Sequence, residues 1–457
     1  MRIISTAREF FRLDEKGSRV SVEFFAGLTT FLTMGYIIFL QPAILSGIIS
    51  GKSTGMDPDA LMTSTCIAAA VGCLLMGLIA NYPVALAPGM GENFFFVTVV
   101  GACAVIPGLS GDEAWKTALG VVMISGMLFI IMTLVGARKW IMQTLSQSMH
   151  YAIAGGIGLF IAYLGLRNGG VIQNTPDGTF MCSSFKNDAI LIFSVGLVST
   201  CAFKIFGFRG NIIWGMLAGA ATACILGKIS PEFPVSIPKS PMPVFAKADM
   251  LSVFRNLPTL LPFIIIFLFM DVFDTVGTLV GVGSQAGLMK DNKLPGCEKA
   301  FLADSIATVF GATCGHSTVT SYIESASGVE YGGRTGLTAV FTGMFFIIAI
   351  FFSPLVRTIA QYPGAINPIT APALVVVGAM MLKNVGLIIW DDPGEAIPAF
   401  LILIGIPFTS SISDGLILGL LAYPLLKLCG GKAKDVHWTA YLLAGLLLLY
   451  LFLVKSH

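Results

Sequence analysis

Two aspartates stand three residues apart inside an otherwise apolar run, LLPFIIIFLFMDVFDTVGTLVGVG. Charged groups buried in hydrocarbon are costly, and they are rare unless they serve a pathway. The i,i+3 spacing of Asp271 and Asp274 puts both on one face of a helix. Two like charges that close in a low-dielectric site cannot both stay ionised, so at least one is expected to carry a proton. The structural alternative is a pair that caps a helix break ahead of Gly277. Glu324 lies in STVTSYIESASG, where a broken stretch turns helical. A helix N-terminus favours a carboxylate there, and an ionised carboxylate accepts two neighbouring N–H groups in one plane. Its plain alternative is a helix cap with no ligand.

Other polar groups gather around these. Glu92 and Asn93 form a polar pair in a second broken stretch. Asn93 offers both a donor and an acceptor to the edge of a planar ligand, while Glu92 could equally face water or a neighbouring helix. Phe94 and Tyr322 flank the polar residues and could stack on a flat ring. Asp304 is expected to brace the helix beside it through hydrogen bonds. Ser317, Thr318, Thr320 and Ser321 supply hydroxyls and, if extended, free backbone N–H groups. His316 is a candidate proton relay, although a lone His in a Gly-rich break is more often a hydrogen-bonding filler. Glu23, Glu330 and Asp414 read as solvated residues near an interface.

The elements that must hold these groups are transmembrane helices. Of 457 residues, 55% are hydrophobic and 11% charged, against about 25% charged in soluble chains. Mean hydropathy is +0.85. The net charge of +2 gives no basic face for nucleic acid. Nine cysteines without a CxxC pair argue against zinc or redox chemistry, so no metal or cofactor is expected. One disulfide, between Cys103 and Cys182, stays open, with free thiols the simpler reading. Apolar runs long enough for spans fall at 24–48, 60–80, 117–136, 148–166, 188–206, 210–229, 259–281, 335–356 and 371–390. Two short contiguous runs occupy 396–411 and 412–428, and a shorter one 441–454.

Lys and Arg clusters at the N-terminus, at Arg138–Lys139, Lys204 with Arg209, Lys290 with Lys293, and Lys427 with Lys432 and Lys434 fall on one side if the N-terminus is cytoplasmic. The Pro-rich loop at 228–257 departs from that bias, as long loops do. Two stretches are not ordinary spans: NYPVALAPGMGENFFFVTVVG at 81–101 and GATCGHSTVTSYIESASG at 311–328. Paired Gly/Pro-interrupted segments at matching positions of two halves point to a binding site at the membrane midplane. Irregular backbone survives at that depth only where it lines a protected cavity.

The stretches EFFAGLTTFLTMGYIIFLQP, APGMGENFFF and MDVFDTVGTLVGV resemble the nucleobase–cation symporter-2 family, in its hypoxanthine/guanine/adenine permease branch. ADSIATVFGATCGHSTVTSYIESASGVEYGGRTGLTAVFTG and PFTSSISDGLILGLLAYPLLKL extend the resemblance over nearly the whole chain. It implies an all-α polytopic fold of fourteen segments in two inverted repeats of seven, segments 3 and 10 being broken into a short strand and a half helix. It also implies a core and a gate domain, with substrate held between the broken segments. On this basis Asp271 and Glu324 are the substrate-binding carboxylates, Asp274 the position tied to protonation, and Asn93 a polar partner.

The chain then divides into an amphipathic N-terminal segment at 1–20, repeats at 21–230 and 258–429, a linker at 231–257 and a tail at 430–457. The expected activity is proton-coupled import of purine bases across a bacterial inner membrane, with the base, the proton and the bilayer as partners and a homodimer allowed. Glu92 replaces an apolar residue usual in that branch and adds a titratable group to the coupling site. His316 replaces a small hydroxyl residue, and 441–454 would be a fifteenth segment. The same fold with xanthine, uracil or ascorbate as cargo is the alternative. A remote one is an embedded enzyme using the Asp pair for Mg²⁺, which lacks the second Asp cluster and the basic residues a diphosphate needs.

Overall fold

The computed structural model describes residues 8–51, 53–106, 113–136, 146–174, 180–182, 187–230, 235–288, 294–360, 362–363, 366–409 and 412–454. Arg138, Lys139, Lys290 and Lys293, invoked above for orientation, lie outside them. Apolar composition and the absence of water at depth leave helices as the economical backbone. The chain forms α1 (Val20–Met34), α2 (Ile37–Leu45), α3 (Pro58–Leu75), β1 (Leu86–Pro88), α4 (Met90–Ala104), α5 (Ala114–Val135) and α6 (Gln147–Asn168). A small hairpin follows, β2 (Ile172–Asn174) with β3 (Phe180–Cys182), then α7 (Asp188–Ile205) and α8 (Asn211–Ile225). The second half contains α9 (Met250–Arg255), α10 (Leu257–Gln285), α11 (Cys297–Thr313), β4 (Val319–Ser321), α12 (Ser325–Tyr331), α13 (Gly336–Ala349) and α14 (Ser353–Ala360). It closes with α15 (Ala371–Met381), α16 (Pro393–Thr409), α17 (Ile412–Cys429) and α18 (Trp438–Val454).

Among the described residues, seven helical stretches are long and apolar enough to cross a bilayer, including Val20–Leu45, Leu257–Gly283 and Gly336–Ile359. Shorter apolar helices, Met90–Ala104 among them, fill the spaces between. Local chemistry sets the ends. Asp57, Ser146, Asn187 and Asp249 cap the helices that follow them with side-chain oxygens. Asn81 adopts φ 53° after a π-helical turn and redirects the chain into the strand.

The helices sort into two bodies by their packing partners. Helices α1–α5 and α10–α13 pack among themselves, and α6–α8 pack with α15–α17. In the second body α6 uses a glycine face. A Cβ on Gly158 would lie 2.7 Å from the Gly378 carbonyl oxygen, and one on Gly156 would lie 2.9 Å from that of Ile402. Small residues of this kind let helix backbones approach closely. Ser146 donates to Glu395, and Lys427 bridges Glu395 (2.8 Å) and Asp392 (2.9 Å). The Lys427 ammonium, with the Gly394 N–H, holds the Asp392 carboxyl down at about 2. The first turn of α6 is thereby pinned to the α16–α17 hairpin.

Helix α18 packs on both α10 and α17 and so touches both bodies. Cys103 is a buried free thiol, which removes the disulfide with Cys182.

Glu23 departs from expectation. Rather than being solvated, it is fully buried on α1. Its carboxylate accepts the backbone N–H groups of Arg334 (3.0 Å), Thr335 (3.3 Å) and Thr338 (3.1 Å). The Ser18 hydroxyl (2.6 Å) and that of Thr338 complete its shell. The protein replaces water with a full set of donors at the start of α13, where a helix N-terminus favours the negative charge. Replacing Glu23 by Leu leaves these donors unpaired and is expected to cost about 2–4 kcal/mol. Thermal unfolding of the purified protein in detergent should show a lower midpoint, and an unchanged midpoint would refute this role.

Candidate functional site

Two three-residue strands meet where the broken segments cross. Their backbone groups cannot turn to water, so each strand serves as the other's hydrogen-bonding partner. β1 runs antiparallel to β4 with Leu86 opposite Ser321, Ala87 opposite Thr320 and Pro88 opposite Val319. The pairing extends at both ends, from Gly89 N–H to the Thr318 oxygen and from Tyr322 N–H to the Ala85 oxygen, each 3.0 Å. Because the strands are antiparallel, the helices that follow leave the crossing in opposite directions. Gly89 caps α4, and Glu324 stands at the cap position of α12.

The carboxylates surround this crossing in different settings. Asp271 is buried and accepts the Thr308 hydroxyl at 2.8 Å through Oδ2. Thr308 in turn accepts the N–H of strand residue Val319 at 3.3 Å. The other Asp271 oxygen, Oδ1, is buried with no hydrogen-bond partner among the described residues. Asp304 is also buried and accepts Thr275 (2.7 Å) and Ser321 (3.2 Å), with Thr275 joined to Thr320 at 3.0 Å. Glu92 is buried over the start of its own helix: a Cβ at Gly89 would strike its carboxylate and come within 2.9 Å of the Thr320 methyl. Glu324 is half-buried and accepts the Tyr36 hydroxyl at 2.8 Å.

Asp274 is exposed, in contrast to Asp271. Gly277, one turn on, is exposed too, with open space where a Cβ would stand, and Ile323 beside Glu324 is 47% accessible. Asp274 and Gly277 thus form an accessible side of α10, whereas Asp271 is buried. The spacing of the aspartates placed them on one side of the helix, but the neighbours of each differ. Further along, Gly283 lies against Leu294, and the Pro295 oxygen accepts the Tyr82 hydroxyl. Lys16 of the N-terminal segment donates to the Asn81 oxygen at 3.1 Å.

A second polar group sits behind the crossing. Gln41 and Asn93 exchange amide hydrogen bonds, and Ser317 donates to Asn93 Oδ1. His316 is fully buried with Nδ1 3.3 Å from Gln41 Nε2 and Nε2 2.6 Å from Ser64 Oγ. Both ring nitrogens are therefore engaged in the scaffold. Asn93 is fully buried in this conformation, Phe94 packs edge-on to Phe160 with ring centroids 6.0 Å apart, and the Tyr322 hydroxyl donates to the Pro88 oxygen. The structure thus brings Asp271, Asp274, Asp304, Glu92, Thr320 and Glu324 around one crossing. It sets Asn93 and His316 in a connected patch behind it.

Tyr36, Gln41, Ser64, Thr275 and Thr308 complete these networks and were not singled out in the sequence. Their signal was there: each is a polar group inside an apolar run, where hydrogen bonding across helices is expected. Among the described residues none of the ion pairs involves a carboxylate of the cluster, and no group of His, Cys, Asp or Glu is arranged to hold a metal.

Two bodies of helices enclosing a paired-strand crossing define a helical polytopic membrane transporter. The fold is similar to the transmembrane domain of the cyanobacterial bicarbonate transporter BicA, with a TM-score of 0.62 at 15% identity over 87% of this chain and 97% of that one. It is also similar to the anion transporter SLC26A9, with a TM-score of 0.60 at 11% identity over 90% of this chain and 66% of that one. Residues 21–418 match the profile of a permease family of the xanthine/uracil type, and the chain belongs to that family, the nucleobase–cation symporter-2 permeases. It is 44% identical to a putative permease of Methanocaldococcus jannaschii, over 97% of each chain. It is 40% identical to the guanine/hypoxanthine permease PbuG of Bacillus subtilis, over 98% of this chain and 100% of that one. The adenine permease AdeQ of Escherichia coli is 36% identical, over 98% and 97%. The protein is a permease and not an enzyme.

Gly89 tests the crossing directly. Gly89→Ala adds a methyl that must displace the Glu92 carboxylate or the strand itself. Uptake by this variant should fall more than tenfold at unchanged membrane abundance, and wild-type uptake would show that the crossing tolerates displacement.

Proposed function

We propose that the protein imports purine bases, namely hypoxanthine, guanine and adenine, by proton symport across a bacterial inner membrane with its N-terminus in the cytoplasm. The single observation that carries this reading is a cluster of five carboxylates without a cation among the described residues, of which Asp274 is exposed and Glu324 half-buried. Anionic cargo would be repelled by such a site, whereas a neutral heterocycle with N–H donors suits it. The names of relatives that cover the whole chain favour guanine, hypoxanthine and adenine over xanthine or uracil. In this reading the chain folds as fourteen segments in two inverted repeats, 21–230 and 258–429. The body containing α10 is the core, and the body containing α6 is the gate.

Transport begins with a proton on the Asp271/Asp274 pair, taken from the outside. Two carboxylates three residues apart on one helix repel, so a proton shared by the pair removes the largest electrostatic cost of the site. The base then docks with Glu324 accepting N1–H, and in guanine the adjacent amine as well. Asn93 takes the rest of that edge with the amide N–H that its partners leave unused. Phe94 and Tyr322 bound the pocket. Thr320 and Asp304 hold the strand and α11 in place, His316 supports Asn93 through Gln41, and Glu92 is a further proton site beside the crossing. With the buried charge neutralised, the core moves past the gate at lower cost. Base and proton leave into the cytoplasm, where the proton concentration is lower.

Asp274→Asn keeps the size of the side chain but cannot exchange a proton. It should abolish uphill accumulation of hypoxanthine in cells while equilibrium binding persists; unchanged accumulation would remove Asp274 from coupling. Glu324→Gln turns one accepting oxygen into a donor that opposes N1–H. Its affinity for hypoxanthine should drop about ten- to a hundredfold in direct binding measurements, and wild-type affinity would exclude Glu324 from the site.

A further inference from the structure

The gate body presents one helix face to the core, and that face holds an unexplained polar group. On α6, Ile157 approaches Gly91 of α4, with its Cγ2 3.4 Å from where a Cβ would stand, and Phe160 packs on Phe94. His150 belongs to the same stripe, seven residues before Ile157, a spacing that returns to one side of a helix. Its ring lies on Phe273 of α10, with centroids 3.6 Å apart and planes at 44°. Phe273 in turn stacks on Phe269. The remaining positions of the stripe, Ile153, Ala154, Ile161 and Leu164, are apolar, and the opposite side of α6 is the glycine face packed within the gate. His150 is thus the one polar side chain that this stripe turns toward the core, and it sits beside the residue that precedes Asp274.

Its Nε2 is buried and has no hydrogen-bond partner among the described residues. A buried polar atom without a partner calls for a physical reason. His316, the histidine that stood out in the sequence, has partners on both nitrogens, whereas His150 holds one in reserve at the boundary between the two bodies. Pinning of Ser146 by Glu395 fixes the turn that carries it.

We propose that His150 is the gate-side ligand of the transported base, donating to or accepting from the imidazole edge of the purine through Nε2. This assignment rests on the purine reading above. If Glu324 and Asn93 hold the six-membered ring, the exposed edge is the five-membered ring with one N–H and one bare nitrogen. A neutral histidine nitrogen complements either atom. The contact joins core-bound substrate to the gate and gives the base a partner on each body. Phe273, on which the His150 ring lies here, moves aside when the base binds.

The test compares hypoxanthine with 7-deazahypoxanthine and 9-deazahypoxanthine on the full-length purified protein, for wild type, His150→Phe and His150→Gln. Thermal midpoints of the three proteins report folding. Wild type should bind at least one deaza analogue about tenfold more weakly than hypoxanthine. His150→Phe should bind hypoxanthine about tenfold more weakly while losing that discrimination, and His150→Gln should retain most of it. Three results would overturn the assignment: wild-type affinity in His150→Phe, equal weakening for hypoxanthine and both analogues, or no discrimination by wild type. Failure of the wild type to bind or take up any purine would instead overturn the purine reading.

Discussion

Backbone polar groups at membrane depth have to be paired, and this protein satisfies that requirement with a two-stranded crossing only three residues wide. The rest of the site depends on it. Antiparallel pairing of β1 with β4 draws the two halves of the chain to one point and lets two helices start there in opposite directions. Hydroxyls and carboxylates then attach to the strands: Thr308 links Asp271 to Val319, and Ser321 links β4 to Asp304. A carboxylate placed in such a network is held by neutral donors, so its charge state can change without breaking an ion pair. An ion pair in the same place would bind its proton-accepting group to one state.

Around this crossing the helices form two bodies held together in different ways. The body containing α10 is tied by full hydrogen-bond shells, of which Glu23 at the start of α13 is the most complete. The body containing α6 is tied by glycine-to-backbone contacts and by the Lys427 cluster at its end. Between them lie ring contacts, Phe94 on Phe160 and Phe273 under His150, and polar ones, Arg209 donating to Thr29 at 3.0 Å and Asn168 to the Ile49 oxygen at 3.1 Å. Helix α18 touches both bodies.

Much of the chemistry was legible from residue type alone, because a charged group in an apolar run has few reasons to be there. Asp271, Asp274, Asp304 and Glu324 were found that way, and the structure gathers them. What escaped was polar but uncharged. Gln41, Ser64, Thr275 and Thr308 carry networks, yet Ser and Thr occur throughout transmembrane helices and Gln41 stands in the middle of an apolar stretch. Glu23 does not read as buried from sequence because all but one of its donors come from residues more than three hundred positions away. His150 escaped for the same reason as Gln41: nothing near it in the chain marks it.

The sequence by itself determined the solvent, the helical class and the acidic character of the site. Those follow from composition and local pattern, which act within a turn or two of helix. Only the tertiary structure decided that Asp274 is exposed while Asp271 is buried, that His316 is spent on the scaffold, and that His150 packs on α10. These outcomes rest on which neighbours surround each group, and neighbours are set by helix packing between residues far apart in the chain.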